Sequence, residues 1–515
     1  MRDVATVLRA PAALNAAELR RRLAREGRAR ARPVADEAVE FLDTFDDRLG
    51  RAGLALARDD RRLLVYNART GALLAACPWR RRPAPRTAND IPAGDVREQV
   101  APIIEPRALR FRFRARLLRR EIDVTWPDGG EPARVRWERA SVATDEMRGE
   151  VVLIVVDGVR PRHRGALRRG FAGTGARVVP EGWYAQLKHT AGLRDGYSPR
   201  PRVNVAADAT LRALAAGVFL HLLGVMEANE TGVRDDVDPE FLHDFRVAVR
   251  RTRTALSQMK GVLPAESVRD IRARFAEVAR ACGPLRDLDV HLMQREDYRT
   301  LVPGGLRSDL DDVFARLAQE REREQRAVVA VVDGASYRRL KRDWRATIRT
   351  LRSGPPLGLD AEEPAVRVGR DVILRRYERI REHLASAAAD DNATLHRVRV
   401  ECKKLRYALE FFAPLIGGAD DTLAQLERIQ DALGEYNDLV VQEARLGALL
   451  KSESPGAPGV VGRAAAIGAA LAGLERRRAK ARERCVDRLA ELTGRRFSRS
   501  LKKITDDHDP DRRNE

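Results

Sequence analysis

From about residue 205 onward, apolar residues recur every three or four positions, the period of helices that bury one face. The pattern predicts eight long amphipathic helices, over approximately 206–230, 239–263, 266–294, 308–351, 364–389, 393–415, 419–450 and 460–491. Breaks fall at Pro264, Pro303-Gly-Gly305, Ser353-Gly-Pro-Pro356, Pro414–Gly418 and Ser454–Gly459, with no strand pattern between them. Residues 1–160 read differently, as mixed α/β. A short basic helix is predicted at Ala16–Arg28. Strands are predicted at Glu37–Asp43, Ala52–Arg58, Leu63–Tyr66, Arg110–Leu117, Glu121–Trp126, Ala133–Trp137 and Val151–Val156, with a turn at Pro127-Asp-Gly-Gly130. The segment Ala76–Pro106, rich in Pro and Arg, is expected to be a long loop, residues 161–204 a linker, and residues 506–515 a disordered tail. The fold class is therefore α+β overall, with an all-α C-terminal part.

The helical part repeats itself. Leu242-His-Asp-Phe-Arg-Val-Ala-Val-Arg-Arg-Thr-Arg-Thr-Ala-Leu256 aligns without a gap on Leu395-His-Arg-Val-Arg-Val-Glu-Cys-Lys-Lys-Leu-Arg-Tyr-Ala-Leu409. A second landmark follows each, Gly283-Pro-Leu-Arg-Asp-Leu-Asp289 and Gly434-Glu-Tyr-Asn-Asp-Leu-Val440. A weaker third pairs Tyr337-Arg-Arg-Leu-Lys341 with Phe497-Ser-Arg-Ser-Leu-Lys502. Three landmarks in the same order indicate a duplicated four-helix unit, residues 205–355 and 356–505.

On a helix, His243, Arg246, Arg250 and Arg253 fall within an arc of roughly 80°. Lys260 continues the row, while Phe241, Phe245, Leu256 and Met259 take the core side. His396, Arg399, Lys403 and Arg406 form the same row in the second half, backed by Val398, Leu405 and Leu409. Asp238 with Pro239, and Asn392, are candidate N-caps. The first row spans about 15 Å and holds almost no acid, so it repels itself unless an anion fills it. A basic run on one helix is ordinarily a solvated face, and a lone His ordinarily a structural hydrogen-bonder. The same unbalanced row occurring twice favours anion binding. For Arg286 with Asp287, and Asn437 with Asp438, two roles stay open. Each Asp braces the neighbouring basic helix, or Arg286 reaches the ligand while Asp287 positions it.

Composition narrows the partner. Lys and Arg number 96 against 76 Asp and Glu, a formal net charge of +20, which calls for an acidic partner. Cys77, Cys282, Cys402 and Cys485 form no Cys-x-x-Cys pair and have no His at ligand spacing, so neither a zinc site nor a disulfide framework is expected. The longest apolar run, Ala213 to Met226, contains His221 and is too short to span a bilayer. The N-terminus lacks the apolar segment of a signal peptide, so a cytoplasmic location is expected. No P-loop, dinucleotide fingerprint, nucleophile elbow or HExxH motif is present, and neither a cofactor nor a metal is expected.

The two His-x-x-Arg-x-x-x-[Arg/Lys]-[Arg/Lys]-x-Arg helices and the two Gly-x-x-[Arg/Asn]-Asp-Leu segments resemble those of the CHAD family, over about 300 residues. The resemblance implies two four-helix bundles about a pseudo-twofold axis, with the basic helices facing a groove or pore that holds inorganic polyphosphate. It also implies residence at polyphosphate granules, with other granule proteins as candidate partners. Carried over by position, the ligand row is His243, Arg246, Arg250, Arg251 and Arg253, then His396, Arg399, Lys403, Lys404 and Arg406. Lys260 extends the first row, and Arg286, Asp287, Asn437, Asp438, Lys341 and Lys502 stand as candidate supporting residues. Glu401 departs from the pattern and is expected off the ligand face, about 140° from His396.

Phe41–Arg58 and the alternating Arg110-Phe-Arg-Phe-Arg-Ala-Arg116 are similar to segments of the CYTH family, an antiparallel β tunnel of triphosphate-processing enzymes. That family's opening Glu-x-Glu-x-Lys is absent, since Glu37-Ala-Val-Glu-Phe41 has neither the spacing nor the Lys. Phosphoryl transfer leans on metal-held charge, so residues 1–160 are expected to be a degenerate, non-catalytic relative. The functional expectation is non-catalytic polyphosphate binding. A triphosphatase or polyphosphatase using Glu121, Asp123 and Glu138 is one alternative. Nucleic-acid binding is the other, and it is disfavoured because the rows offer only Tyr407 for base stacking. No membrane partner is expected.

Overall fold

A computed structural model describes residues 5–81, 83–128, 131–193, 197–385 and 392–506. The chain divides into two compact units, Met1–Tyr197 and Ser198–Glu515. The first contains β1 (Thr6–Ala10), α1 (Ala16–Leu23), β2 (Arg28–Thr44), α2 (Arg48–Arg51), β3 (Leu54–Arg58), β4 (Arg62–Asn67) and β5 (Leu73–Pro78). It continues with α3 (Asp95–Ile104), β6 (Leu109–Thr125), β7 (Ala133–Ala143), β8 (Arg148–Asp157), α4 (Arg164–Phe171), β9 (Arg177–Val178) and α5 (Trp183–Thr190). The nine strands form one antiparallel sheet in the order β5-β4-β3-β2-β6-β7-β8-β1-β9, with β5 and β9 at its edges.

Strands β2 and β6 run 17 residues each and pair along their length. Alternation puts Val39 and Phe41 into the core, while Glu40 faces its cross-strand partners Arg58 and Arg114. The expected strands at 110–117 and 121–126 are therefore one strand, because Arg119 and Arg120 stay paired to β2 and β7, and Glu121, at a register shift against β2, stays paired to β7. The expected loop at 76–106 contains α3, whose Val96, Val100 and Ile104 are buried at helical spacing. Residues 161–204 are folded rather than a linker up to Thr190. In α5, Trp183 and Leu187 are fully buried, and Trp183 packs with Phe41 and Tyr66 at ring separations of 5.8 and 5.6 Å. Pro127 and Asp128 follow β6, while the Gly-Gly end of that expected turn lies outside the described residues.

The second unit is helical: α6 (Leu211–Arg234), α7 (Pro239–Gln258), α8 (Ala265–Ala281), α9 (Gly283–Met293), α10 (Arg295–Leu301), α11 (Arg307–Val332), α12 (Ala335–Ser353), α13 (Ala365–Ala385), α14 (Asn392–Phe412), α15 (Ala419–Ser452), α16 (Val460–Thr493) and α17 (Arg495–Asp506). Among the described residues twelve helices stand against the expected eight, because two predicted segments break and α10 and α17 lie outside the predicted ranges. Segment 266–294 ends its first helix at Cys282, where Gly283-Pro284 follows and the proline supplies no N–H for the ladder. Segment 308–351 breaks at Asp333-Gly334. In the second half the second landmark has Glu435 where the first has Pro284, and α15 runs through it unbroken. The third landmarks match in burial, with Tyr337 in α12 and Phe497 in α17 both inside. The expected tail lies outside the described residues beyond Asp506.

The halves are joined at equivalent points. Just before their first helices, Thr210 and Pro364 form an antiparallel bridge, flanked by Leu211 N–H to Glu363 O at 2.8 Å and Ala365 N–H to Ala209 O at 3.0 Å. Among the described residues one helix, Leu211–Arg234, is long and apolar enough to cross a membrane. Here Leu214, Phe219, Leu222 and Met226 are fully buried, and the helix packs on α7 and α12 as a core element.

Candidate anion-binding site

Helix α7 starts as expected. Pro239 sits in the first turn, and the Asp238 carboxylate accepts from Glu240 N–H at 3.0 Å and Phe241 N–H at 3.3 Å. Phe241, Phe245, Leu256 and Met259 are buried, with Phe245 against the Tyr337 ring of α12 at 5.8 Å. That anchoring fixes the rotation of α7 and turns Arg250 outward, with His243, Arg246 and Arg253 half-buried beside it. In α14, Leu395, Val398, Leu405 and Leu409 are buried; His396 is exposed, and Arg399, Lys403 and Arg406 are half-buried. Asn392 opens α14 and accepts from the Tyr436 hydroxyl; the residue before it lies outside the described residues.

The two helices pack on each other. Arg250 Nε donates to Tyr407 Oη at 3.1 Å, and Gln258 Nε2 donates to Lys404 O at 2.8 Å. The guanidiniums of Arg251 and Arg406 lie over the Tyr407 ring at 5.2 and 5.5 Å. Crowding of like charge follows. Burial, then Arg399 and Arg250, pushes the Lys403 ammonium down to about 7, with Asp438 opposing and Arg406 adding to the shift. Burial lowers the pKa of Arg399 and of Arg246, and Arg250 lowers both further. Burial alone would raise the Tyr407 hydroxyl, but Arg250, Arg251 and Arg406 outweigh it and the net shift is downward. Buried Nε atoms of Arg253 and Arg399 find no hydrogen-bond partner. Cations from both halves thus converge, with Glu410 at 3.6 Å from Arg406 and Asp438 at 3.8 Å from Arg399 as the carboxylates beside them.

Other candidate residues are engaged elsewhere. Arg251 is 4% exposed, donates to Pro199 O and pairs with Glu410 at 2.8 Å. Lys404 pairs with Glu401 at 2.6 Å, and Glu401 also takes Arg376 of α13 at 3.3 Å, away from α7. Lys341 pairs with Glu230 at 2.7 Å. Lys260 lies past the end of α7, which stops at Gln258, so it does not continue the helical row. Lys502 is exposed on α17.

The second landmarks brace the rows. Arg286 Nη1 donates to Pro239 O at 3.2 Å and pairs with Glu240 at 3.5 Å, both at the start of α7. Asn437 Oδ1 meets His396 Nδ1 at 3.3 Å, and Asp438 lies 3.8 Å from Arg399. Burial raises the Asp287 carboxyl, against Arg246, Arg445 and Arg286. Three neighbours escaped sequence reasoning: Arg445 of α15, and Arg272 and Arg280 of α8, which lower the pKa of Arg253 after burial does. None belongs to a repeated motif, so only the packing of α8 and α15 reveals them.

In the first unit, Arg32 takes Asp123 at 2.9 Å and Glu121 at 3.7 Å. Glu138 is fully buried and accepts from Arg119 at 2.6 Å and from Trp183 Nε1 at 2.5 Å, with Arg136 at 3.8 Å. The basic strand is matched too, Arg112 with Asp47, Arg114 with Glu40 and Arg116 with Asp36. Among the described residues, no three His, Cys, Asp or Glu side chains gather as a metal-ligand set.

Residues 217–447 match the family model described as CHAD domain, from within α6 to within α15. Two solved structures are similar to this chain. The CHAD domain from the plant Ricinus communis is 26% identical, over 57% of this chain and 97% of its own, with a TM-score of 0.47. PptA from Streptomyces chartreusis is 17% identical, over 55% of this chain and 99% of its own, with a TM-score of 0.43. No curated protein matches the chain.

Proposed function

This chain carries a CHAD domain at residues 217–447, and from that premise we propose that α7 and α14 together bind inorganic polyphosphate without cleaving it. One observation carries the reading. Arg250, Arg399, Lys403 and Arg406 converge from two helices that meet through Arg250 and Tyr407, and the carboxylates beside them are Asp438 at 3.8 Å from Arg399 and Glu410 at 3.6 Å from Arg406, the latter shared with Arg251. Arg246, Arg253, His243 and His396 extend the cluster to either side. A chain of phosphates supplies closely spaced negative charge, and guanidinium groups bind phosphate oxygens in pairs. Filling the cluster removes the mutual repulsion that the empty site carries.

Arg251, Lys404 and Lys341 serve the fold in this reading, because each is already ion-paired. Nucleic acid is the poorer ligand: Tyr407, the aromatic side chain within the rows, is 2% exposed and cannot stack on a base. The first unit is not assigned hydrolysis, since Glu121, Asp123 and Glu138 each face an arginine. A cytoplasmic site at polyphosphate granules, alongside other granule proteins, is the setting that fits this ligand. Titration of the full chain with polyphosphate, in competition with DNA and RNA at one fixed salt concentration, tests the reading. Displacement of bound polyphosphate by either nucleic acid at comparable phosphate concentration would overturn it.

A further inference from the structure

Helices α6 and α12 of the first half enclose an open cleft of about 420 Å³, floored by Leu220, Leu223, Gly224 and Ile348. Leu223 and Ile348 belong to the core, but Leu220 is 46% exposed, and a Cβ added at Gly224 would meet nothing within 4 Å. The rim is basic. Arg342, Arg345, Arg349 and Arg352 of α12 line the cleft and are all exposed. On the helix they fall within an arc of roughly 80° and span about 15 Å. Glu227 of α6 takes Arg345, and Asp343 is shared between Arg342 at 3.6 Å and Arg274 at 2.9 Å. Among the described residues, Arg349 and Arg352 have no carboxylate partner.

The duplication supplies an internal comparison. Counted from the bridge between Thr210 and Pro364, Leu220 corresponds to Leu374 of α13, Gly224 to Glu378 and Ala228 to Glu382. Burial agrees at this offset, since Phe219, Leu223 and Met226 match Ile373, Tyr377 and Ile380, all inside. The second half thus covers this face with carboxylates, as a solvated helix does, and the first half leaves it bare. Glycine is a poor residue for the middle of an exposed helix, and here it deepens the cleft.

We propose that this cleft receives an acidic amphipathic helix of a partner protein. Carboxylates spaced at three and four residues meet the arginine row, and an apolar side chain seats over Gly224 against Leu220. Other occupants fit less well. A second copy of this chain would set one arginine row against another. An interfacial helix reaches lipid by projecting its apolar face, whereas this floor is recessed between two helices. Polyphosphate would pair with the arginines and leave Leu220 in water. The proposal stands apart from the polyphosphate reading of α7 and α14.

The test titrates the full chain into a fluorescein-labelled synthetic helix with Leu along one face and Glu on both flanks, long enough to span the row. A scrambled peptide of the same composition carries the same charge without the stripe. The patterned peptide should bind several-fold more tightly than the scrambled one. Gly224→Gln fills the cleft without changing its charge. It should weaken the patterned peptide several-fold and leave the scrambled one unchanged, with no fall in the unfolding midpoint, because the new Cβ enters open space. Arg349→Gln should weaken the patterned peptide several-fold and leave polyphosphate affinity as in the wild type. Equal binding of the two peptides overturns the proposal, as does wild-type binding by Gly224→Gln. If Arg349→Gln costs polyphosphate as much affinity as it costs the peptide, the row belongs to the polymer and the docking proposal falls. Displacement of the peptide by phosphatidylserine vesicles, and not by phosphatidylcholine ones, would give the cleft to a membrane and overturn it too. Failure of the wild-type chain to bind polyphosphate would overturn the reading of α7 and α14 alone.

Discussion

Arg250 of α7 donates from Nε to the hydroxyl of Tyr407 of α14 at 3.1 Å. In the repeat alignment Tyr407 stands where the first half has Thr254, whose hydroxyl is turned back to Arg250 O at 3.0 Å. The contact therefore has no counterpart in the other direction. Arg250 has a partner across the interface, and among the described residues Lys403, its equivalent, has none. A duplicated site has become chemically unequal through one aromatic side chain.

Salt dependence should reveal the electrostatic origin of polyphosphate binding. Log affinity is expected to fall linearly with log salt, with a slope on the order of −4 for a site that neutralises a handful of phosphates. Fluorescence titrations across a salt series measure it. A flat line would mean that counterion release does not drive binding.

Arg250 and Arg251 are neighbours with opposite expected phenotypes. Arg250→Gln should weaken polyphosphate binding about tenfold and barely move the unfolding midpoint, as befits an exposed cation. Arg251→Gln strips the buried Glu410 of its 2.8 Å partner and should cost roughly 3 kcal/mol of stability. Thermal melts and titrations of the two variants separate the roles. Equal loss of fold in both would show that Arg250 is structural.

Lys403 should make affinity and stability respond to pH in opposite senses. In the free folded chain its ammonium is held down to about 7, against 10.5 when unperturbed. Bound polyanion reverses the local field, so the bound pKa is higher and binding takes up a proton. Affinity should fall as pH rises through about 7 towards 9. Folding shows the reverse sign, because the unfolded chain holds this proton more tightly. The Lys403 contribution to stability should therefore grow between pH 7 and about 10. Lys403→Met should flatten both trends, and a wild-type pH profile in that variant would remove Lys403 from the account.

Glu138 is expected to matter for the first unit alone. Glu138→Gln takes the buried carboxylate from between Arg119, which keeps Glu37 at 3.0 Å, and Arg136, and should lower the stability of that unit by about 3 kcal/mol. Polyphosphate affinity should stay unchanged. Calorimetry of the full chain, together with one titration, checks both statements.

The repeat and its two basic rows were legible because each carries a long exact pattern: a His, basic residues at helical spacing and an apolar back face. Cap chemistry located the start of α7 for the same local reason. Legibility failed where a short signal competed with periodicity. Gly283-Pro284 splits a helix that the apolar pattern alone runs through, and α17 is so rich in Arg and Lys that its Phe497 and Leu501 gave a weak stripe. Residues 161–190 read as a linker because Gly, Pro and Arg dominate them, yet Trp183 and Leu187 suffice to dock α5. Side-chain partners were not legible at all. Helical spacing puts Arg250 on the row and Arg251 off it, but that Arg251 is sealed against Glu410 follows only from the packing of α7 against α14.

The bridge between Thr210 and Pro364 has a consequence for what can lie across the seam. It joins equivalent points of the two halves, and across the seam Arg250 meets Tyr407 while Gln258 meets Lys404, so position rises along α7 as it falls along α14 and the second row approaches the first nearly reversed. A linear ligand meets similar residue types when it is traversed from either end. A nucleic-acid strand has a 5′ to 3′ polarity, and its two orientations in such a site are different molecules to the protein. Inorganic polyphosphate has no polarity: reversing it end for end gives the same chain. A seam built on near-reversal therefore suits a directionless polymer, which can enter by either end and dock without choosing.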